Sequence, residues 1–106
     1  MYASVRCYRL GSGSVDDLMH RVDEEFAPKL SDEPGFEGYQ ALDCGDGRIV
    51  SITISRDEDG CERSNDLAAD WVKERLGDFD ITRTDLFVGE VMVSRAVADL
   101  LEPVHH

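Results

Sequence analysis

The sequence predicts an α+β domain in the order strand, helix, strand, turn, strand, helix, strand. Three observations carry that expectation. Two runs with a two-residue apolar period flank the segment Asp43-Cys44-Gly45-Asp46-Gly47-Arg48. An amphipathic helical pattern lies beyond each run, and a further strand pattern lies beyond each helix. A chain of 106 residues, 42% of them hydrophobic, is the size of one domain around one core.

Residues Tyr2 to Arg9 alternate, with Ala3, Val5 and Cys7 on one face and Tyr2, Ser4, Arg6 and Tyr8 on the other. Gly11-Ser12-Gly13 ends this strand. Ser14 is placed to cap a helix, and Asp16 and Asp17 in the first turn suit the helix dipole. Val15, Leu18, Met19, Val22, Phe26 and Leu30 then form one stripe at 3.6-residue spacing. Pro28 predicts an irregular last turn, and Glu33-Pro34-Gly35 a stop.

Phe36 to Cys44 and Arg48 to Arg56 make a hairpin around Gly45-Asp46-Gly47, whose glycines reach the positive φ that tight turns need. In the third strand Val50, Ile52 and Ile54 face one side, and Ile49, Ser51, Thr53 and Ser55 the other. Asp57-Glu58-Asp59-Gly60 reads as a loop or as the start of the second helix. That helix runs from about Cys61 to Leu76, with Gly77 as its cap. Asp78 to Arg83 reads as polar linker and Thr84 to Ser94 as the fourth strand. The domain is therefore expected over residues 1–95, followed by a tail, 96–106, with a short helix around Ala96 to Leu101.

The order βαββαβ is the split βαβ, or ferredoxin-like, arrangement. It implies an antiparallel four-stranded sheet in the order 4-1-3-2 with both helices on one face. Strand 4 carries apolar residues on both faces, and strand 1 adds Tyr2 and Tyr8 on its second face. Both faces of the sheet are thus expected to be covered, and a two-fold homodimer is the simplest cover.

Charge excludes one class of partner. With 23 acidic residues against 11 basic ones the net charge is −12, and such a surface repels phosphate backbones. Lys29 and Lys73 are the only lysines. Two readings fit this balance: an acidic soluble protein, or a protein of a high-salt cytoplasm where salt screens self-repulsion. No run of about 18 apolar residues suits a membrane span, and the N-terminus lacks the pattern of a signal peptide, so a cytoplasmic location is expected. Cys7, Cys44 and Cys61 form no CxxC pair and have no histidine near them, so free, mostly buried thiols are expected rather than a metal site or a disulfide framework.

Several segments together resemble one family. They are Tyr2-Ala3-Ser4-Val5-Arg6, Pro34-Gly35-Phe36, Gly45-Asp46-Gly47, and Ser64-Asn65 followed by Ala68-Ala69-Asp70-Trp71-Val72. They resemble the antibiotic biosynthesis monooxygenase-like proteins, which are dimeric α+β barrels, and the resemblance spans roughly residues 1–95. It implies the fold and the homodimer. Because that superfamily includes cofactor-free oxygenases, haem-degrading enzymes and stress-response proteins, it leaves two activities open. One is a cofactor-independent monooxygenase acting on a small aromatic substrate, with no cofactor and no metal. The other is a non-catalytic dimer that binds a small ligand or serves stress response.

The resemblance also singles out residues. Family oxygenases use an Asn and a Trp from the second helix, which points to Asn65 and Trp71. About 100° per residue puts the two roughly 120° apart, and the family spacing is closer, so they are not expected to reach one spot. Arg6, as an anion stabiliser, and Asn65, for orientation, are the candidate catalytic residues. Trp71, Tyr39 and Glu90 are the candidate substrate-binding residues. Arg6 and Glu90 also invite a plainer reading, a cross-strand ion pair between neighbouring strands 1 and 4. Haem breakdown is disfavoured: strand 1 has no Asn, no strand has a Trp, and His20 lies about 130° off the apolar stripe of its helix. His105 and His106 end the chain. No dinucleotide, phosphate-loop, HExxH or Ser-His-Asp pattern is present, and the acidic runs lack the spacing of a calcium loop.

Overall fold

The computed structural model describes residues 1–97. Its elements follow the expected order: β1 (Tyr2–Leu10), α1 (Val15–Arg21), a π-helical stretch (Val22–Phe26), α2 (Ala27–Ser31), β2 (Phe36–Asp43), β3 (Arg48–Ser55), α3 (Glu58–Arg75), a 3₁₀ turn (Gly77–Phe79) and β4 (Ile81–Glu90). The sheet runs β2-β3-β1-β4, which is the predicted 4-1-3-2 order read from the other edge, and every pairing is antiparallel. Among the described residues no helix is long and apolar enough to cross a membrane.

Local chemistry explains the boundaries. Ser14 caps α1, its side chain accepting from the Asp17 N–H. The predicted irregularity near Pro28 is a π turn, in which the Ala27 N–H bonds Val22 O. Pro28 has no N–H to continue an α ladder, and the widened turn just before it absorbs that loss. In the hairpin, Arg48 N–H donates to Gly45 O at 2.9 Å, which makes Asp46 and Gly47 the central residues. Both have positive φ, 54° and 76°, as a turn matching the strand twist requires.

Four expectations need correction. The second helix starts three residues before Cys61, because Asp57 caps it by accepting from Gly60 N–H at 2.7 Å. Gly77 is no left-handed cap; it opens the 3₁₀ turn, and the left-handed residue is Asp80, with φ 49°. The fourth strand starts at Ile81 and ends at Glu90, so the expected linker is part turn and part strand. Of the three thiols, only Cys61 is fully buried, and Cys44 is exposed. The helix expected around Ala96 to Leu101 falls mostly outside the described residues; Ala96 and Val97 take no regular structure.

The two faces of the sheet differ in chemistry. The helices do not cover the aliphatic face. They cover the face carrying Ser4, Arg6, Ser51, Thr53 and Ser55, all of which are buried. Val5, Val50, Ile52 and Ile54 lie half-buried on the opposite, helix-free face. Phe87 lies on that face too, opposite Val5, and is 59% exposed. The apolar core beneath the helices is formed instead by Leu18, Phe26, Leu30, Ala68, Trp71, Leu76 and Phe79, with Ile49 from the sheet. The helices thus bring most of the apolar surface to this layer and the sheet brings polar groups.

Candidate functional site

Arg6 lies at the middle of that polar layer. Its side chain is 0% exposed. Nε donates to Ser51 Oγ at 3.1 Å, and Nη2 to Thr53 Oγ1 at 2.8 Å, both on β3. Nη1 donates to Ser64 Oγ at 3.1 Å and to Asn65 Oδ1 at 2.9 Å, both on α3. The guanidinium also sits 6.0 Å from the centre of the Phe26 ring. Among the described residues every ion pair involves other arginines or His20, and no carboxylate reaches Arg6. A buried cation held only by neutral acceptors is costly, since burial favours the unpaired charge least of all.

Beside it lies a cavity between the helices and the sheet. The sheet supplies Arg6, Tyr8, Tyr39, Ala41, Ile49 and Ser51; the helices supply Leu18, Val22, Phe26, Ala68, Trp71 and Val72; Leu10, Leu76 and Ile81 close the rest. Counted out to its open mouth the space is about 470 Å³, with about 40 Å³ available to the centres of water-sized atoms. The smaller figure corresponds to about three waters, so a ligand larger than one or two rings needs the mouth as well. The walls are mostly aliphatic, with four aromatic side chains, Tyr8, Phe26, Tyr39 and Trp71, among them. Phe26 packs at 5.3 Å from Trp71, and edge-on at 5.6 Å from Tyr39.

The titratable groups are few. Burial pushes the Tyr39 pKa up to about 12, against smaller opposing effects of Arg6 and of hydrogen bonding to Ser51. Tyr39 therefore stays a neutral donor at ordinary pH. Burial likewise pushes the Cys61 thiol up. Trp71 Nε1 is buried and has no hydrogen-bond partner among the described residues. The Glu25 carboxylate is held below its usual range chiefly by its hydrogen bond from Arg21 and feels the indole N–H as well, but no bond of ordinary length closes between Glu25 and Trp71.

The structure brings together Arg6, Tyr39 and Trp71 as lining residues of one cavity. Asn65 does not line it. Its Oδ1 faces the Arg6 guanidinium and accepts a further hydrogen bond from Ser4 Oγ, so it supports Arg6 from behind. Trp71 is buried, 5% exposed. Asn65 and Trp71 do not meet in one spot, in line with their angular separation.

Glu90 is a correction. It pairs with Tyr2, whereas Arg6 pairs with Leu86, so the two groups lie four residues apart along the ladder, about 13 Å. Glu90 is exposed and lies outside the cavity, and the expected Arg6–Glu90 ion pair does not form. His20 is solvent-facing as expected, with Nε2 3.3 Å from Glu24.

The sequence reading missed Ser51, Thr53, Ser64 and Phe26. The signal for two of them was present: Ser51 and Thr53 alternate with Ile52 and Ile54 on the same polar face as Ile49. A haem does not fit this donor set. Among the described residues His20 is the only histidine, no cysteine lines the cavity, and neutral Tyr39 is a poor ligand. Among the described residues no group of three or more His, Cys, Asp or Glu is placed to hold a metal.

No protein-family model matches the chain, and no curated protein matches it. Solved structures do. The haem degrader MhuD of Mycobacterium tuberculosis, with two haems in its active site, is 19% identical over 91% of this chain and 100% of that chain, at a TM-score of 0.69. SnoaB of Streptomyces nogalater, a cofactor-independent oxygenase, is 16% identical over 92% and 95% of the two chains, at a TM-score of 0.63. A dimeric ferredoxin-like protein from an uncultured marine organism is 14% identical over 91% and 98%, at a TM-score of 0.68. At these identities the likeness is one of fold, and the chain shares with these proteins a ferredoxin-like α+β fold.

Proposed function

We propose that the protein is a homodimeric, cofactor-independent oxygenase of small aromatic substrates bearing an acidic C–H. One observation carries this reading: an apolar cavity with four aromatic side chains in its wall ends on a buried arginine that has no counter-ion among the described residues. In such chemistry the substrate's own carbanion reduces dioxygen. A CH₂ group and O₂ become a C=O group and water: one proton leaves to solvent as the carbanion forms, and one is taken back from solvent when the peroxide breaks and its outer oxygen departs as water. Arg6 would hold the negative charge as it forms, at the fully buried end of the cavity. Asn65, Ser51, Ser64 and Thr53 would fix the guanidinium so that it need not reorganise. Tyr39 and Trp71 would orient the ring. SnoaB, with the same fold, is a cofactor-independent oxygenase, which supports the class of reaction. The helix-free sheet face, with Val5, Ile52 and Phe87, and the dimeric marine relative support the homodimer.

A second reading, ligand binding without turnover, is favoured by the lack of a base: among the described residues no carboxylate or histidine lines the cavity. One experiment separates the two. Trp71 is the chain's sole tryptophan and lines the cavity, so its fluorescence reports occupancy. β-Tetralone, a bicyclic ketone with an acidic CH₂, is added while dissolved oxygen is followed. Quenching together with oxygen uptake above the protein-free rate supports the oxygenase; quenching with no excess uptake supports the binding protein.

A further inference from the structure

Arginine carries five N–H donors and no acceptor, and it keeps its charge inside proteins. In Arg6 four of the five are used within the chain: Nε on Ser51, both hydrogens of Nη1 on Ser64 and Asn65, and one of Nη2 on Thr53. All four acceptors are neutral. The charge is therefore uncompensated among the described residues, and one Nη2 donor closes no hydrogen bond of ordinary length among them, on a residue that lines the cavity and whose guanidinium the Tyr39 hydroxyl feels. We propose that this leftover donor makes the cavity a receptor for a single ionised oxygen, so that the ligand is a phenol or enol bound as its oxyanion and not a carboxylate or phosphate.

The number of free donors decides the class. Arginine recognises carboxylate and phosphate through two parallel N–H groups, and here that fork is occupied. A phenolate or enolate presents its charge on one oxygen of a flat skeleton. One N–H suits the oxygen, and the rings of Phe26 and Trp71 suit the skeleton. Tyr39 on β2 supplies a second donor, because it lies close enough to Arg6 and Ser51 to feel both and keeps its proton up to about pH 12. The other titratable group on the cavity wall is Tyr8 on β1, and the helical wall of Leu18, Val22, Phe26, Ala68 and Trp71 carries no charge. The ligand's proton therefore leaves to solvent, and the guanidinium drives this by lowering the ligand's own pKa. The inference rests on the reading that the cavity takes a ligand.

The test uses para-nitrophenol, whose phenolate absorbs in the visible and whose phenol does not. It is titrated with protein at a pH about one unit below the probe's own pKa. The expected result is quenching of Trp71 fluorescence, growth of the phenolate band, and a pKa of the bound probe lowered by about one unit or more. Excess benzoate should leave the band unchanged. Arg6→Met should lose the band. Tyr39→Phe retains the four hydrogen bonds of Arg6, so it keeps the proposal testable if Arg6→Met fails to fold; it should reduce the pKa shift. Quenching without a phenolate band, an unchanged probe pKa in Tyr39→Phe, or displacement by benzoate would each overturn the oxyanion proposal and leave ligand binding standing. No quenching at all would overturn both.

Discussion

Arg6 Nη1 donates to Asn65 Oδ1 at 2.9 Å, joining β1 to α3 beneath the sheet's centre. Because a guanidinium can only donate, the amide oxygen must face it, and Ser4 Oγ donates to the same atom. Two opposite substitutions read this contact. Asn65→Ala leaves an Arg6 N–H and the Ser4 hydroxyl without their partner in the interior, which should cost about 1–3 kcal/mol in urea unfolding. Asn65→Asp places a carboxylate in nearly the same volume and gives Arg6 a counter-ion. Its melting temperature should equal or exceed that of Asn65→Ala, while affinity for an anionic ligand falls at least about tenfold. Unchanged anion affinity in Asn65→Asp would mean that the charge of Arg6 is not what the cavity offers.

The fold was legible because its signals are local and periodic. Ser14, the Gly45-Asp46-Gly47 turn and the 3.6-residue stripe from Val15 to Leu30 each specify geometry without knowledge of the rest of the chain. Which sheet face meets the helices was not legible. Alternation divides Val50, Ile52 and Ile54 from Ser51, Thr53 and Ser55, but it does not say which set lies inside. The usual rule places the aliphatic set beneath the helices. Here the rule fails because Arg6 needs acceptors and β3 supplies two of them. Arg6, Trp71 and Tyr39, singled out from residue type and family likeness, line one cavity. Glu90 was misplaced because pairing register is a long-range property: β1 and β4 set Glu90 against Tyr2 and leave Leu86 opposite Arg6.

Tyr39 predicts alkaline behaviour. An unfolded tyrosine titrates near about 10, and in the fold burial raises Tyr39 to about 12. Between these values the native state holds a proton that the unfolded state has lost, so stability falls as pH rises through that window. The contribution is on the order of 2–3 kcal/mol, complete below about pH 10 and lost above pH 12. Chemical denaturation at a series of pH values should show this decline in the wild type and a shallower one in Tyr39→Phe. Parallel curves for the two proteins would remove Tyr39 as the cause.

The acidic surface gives a separate expectation. With net charge −12, exposed carboxylates repel one another more in the folded state than in the expanded chain. Salt at about 0.1 M already shortens the range of that repulsion to about 10 Å, and 1 M to about 3 Å. If the chain is adapted to high salt, its melting temperature should climb steadily from low to molar sodium chloride. The same rise should appear with potassium chloride, because screening depends on ionic strength. A flat response would leave the acidity as a matter of solubility alone.

The helix-free sheet face is the last point where one residue decides. Ile52 lies on β3 between Val5 and Gln40, with Val50 and Ile54 on the same face. Leu42, 40% exposed, and Phe87, 59% exposed, extend this surface toward opposite edges. An apolar face of this kind rarely stays in water, and a self-complementary patch on a two-fold axis would bury it twice over. Ile52→Asp puts a charge at the centre of that face and touches nothing beneath the helices. Light scattering should then report a mass near two chains for the wild type and near one for the variant, with circular dichroism unchanged. Because the cavity lies on the other side of the sheet, quenching of Trp71 by ligand should survive in the variant. A dimer that persists in Ile52→Asp would place the interface on another surface.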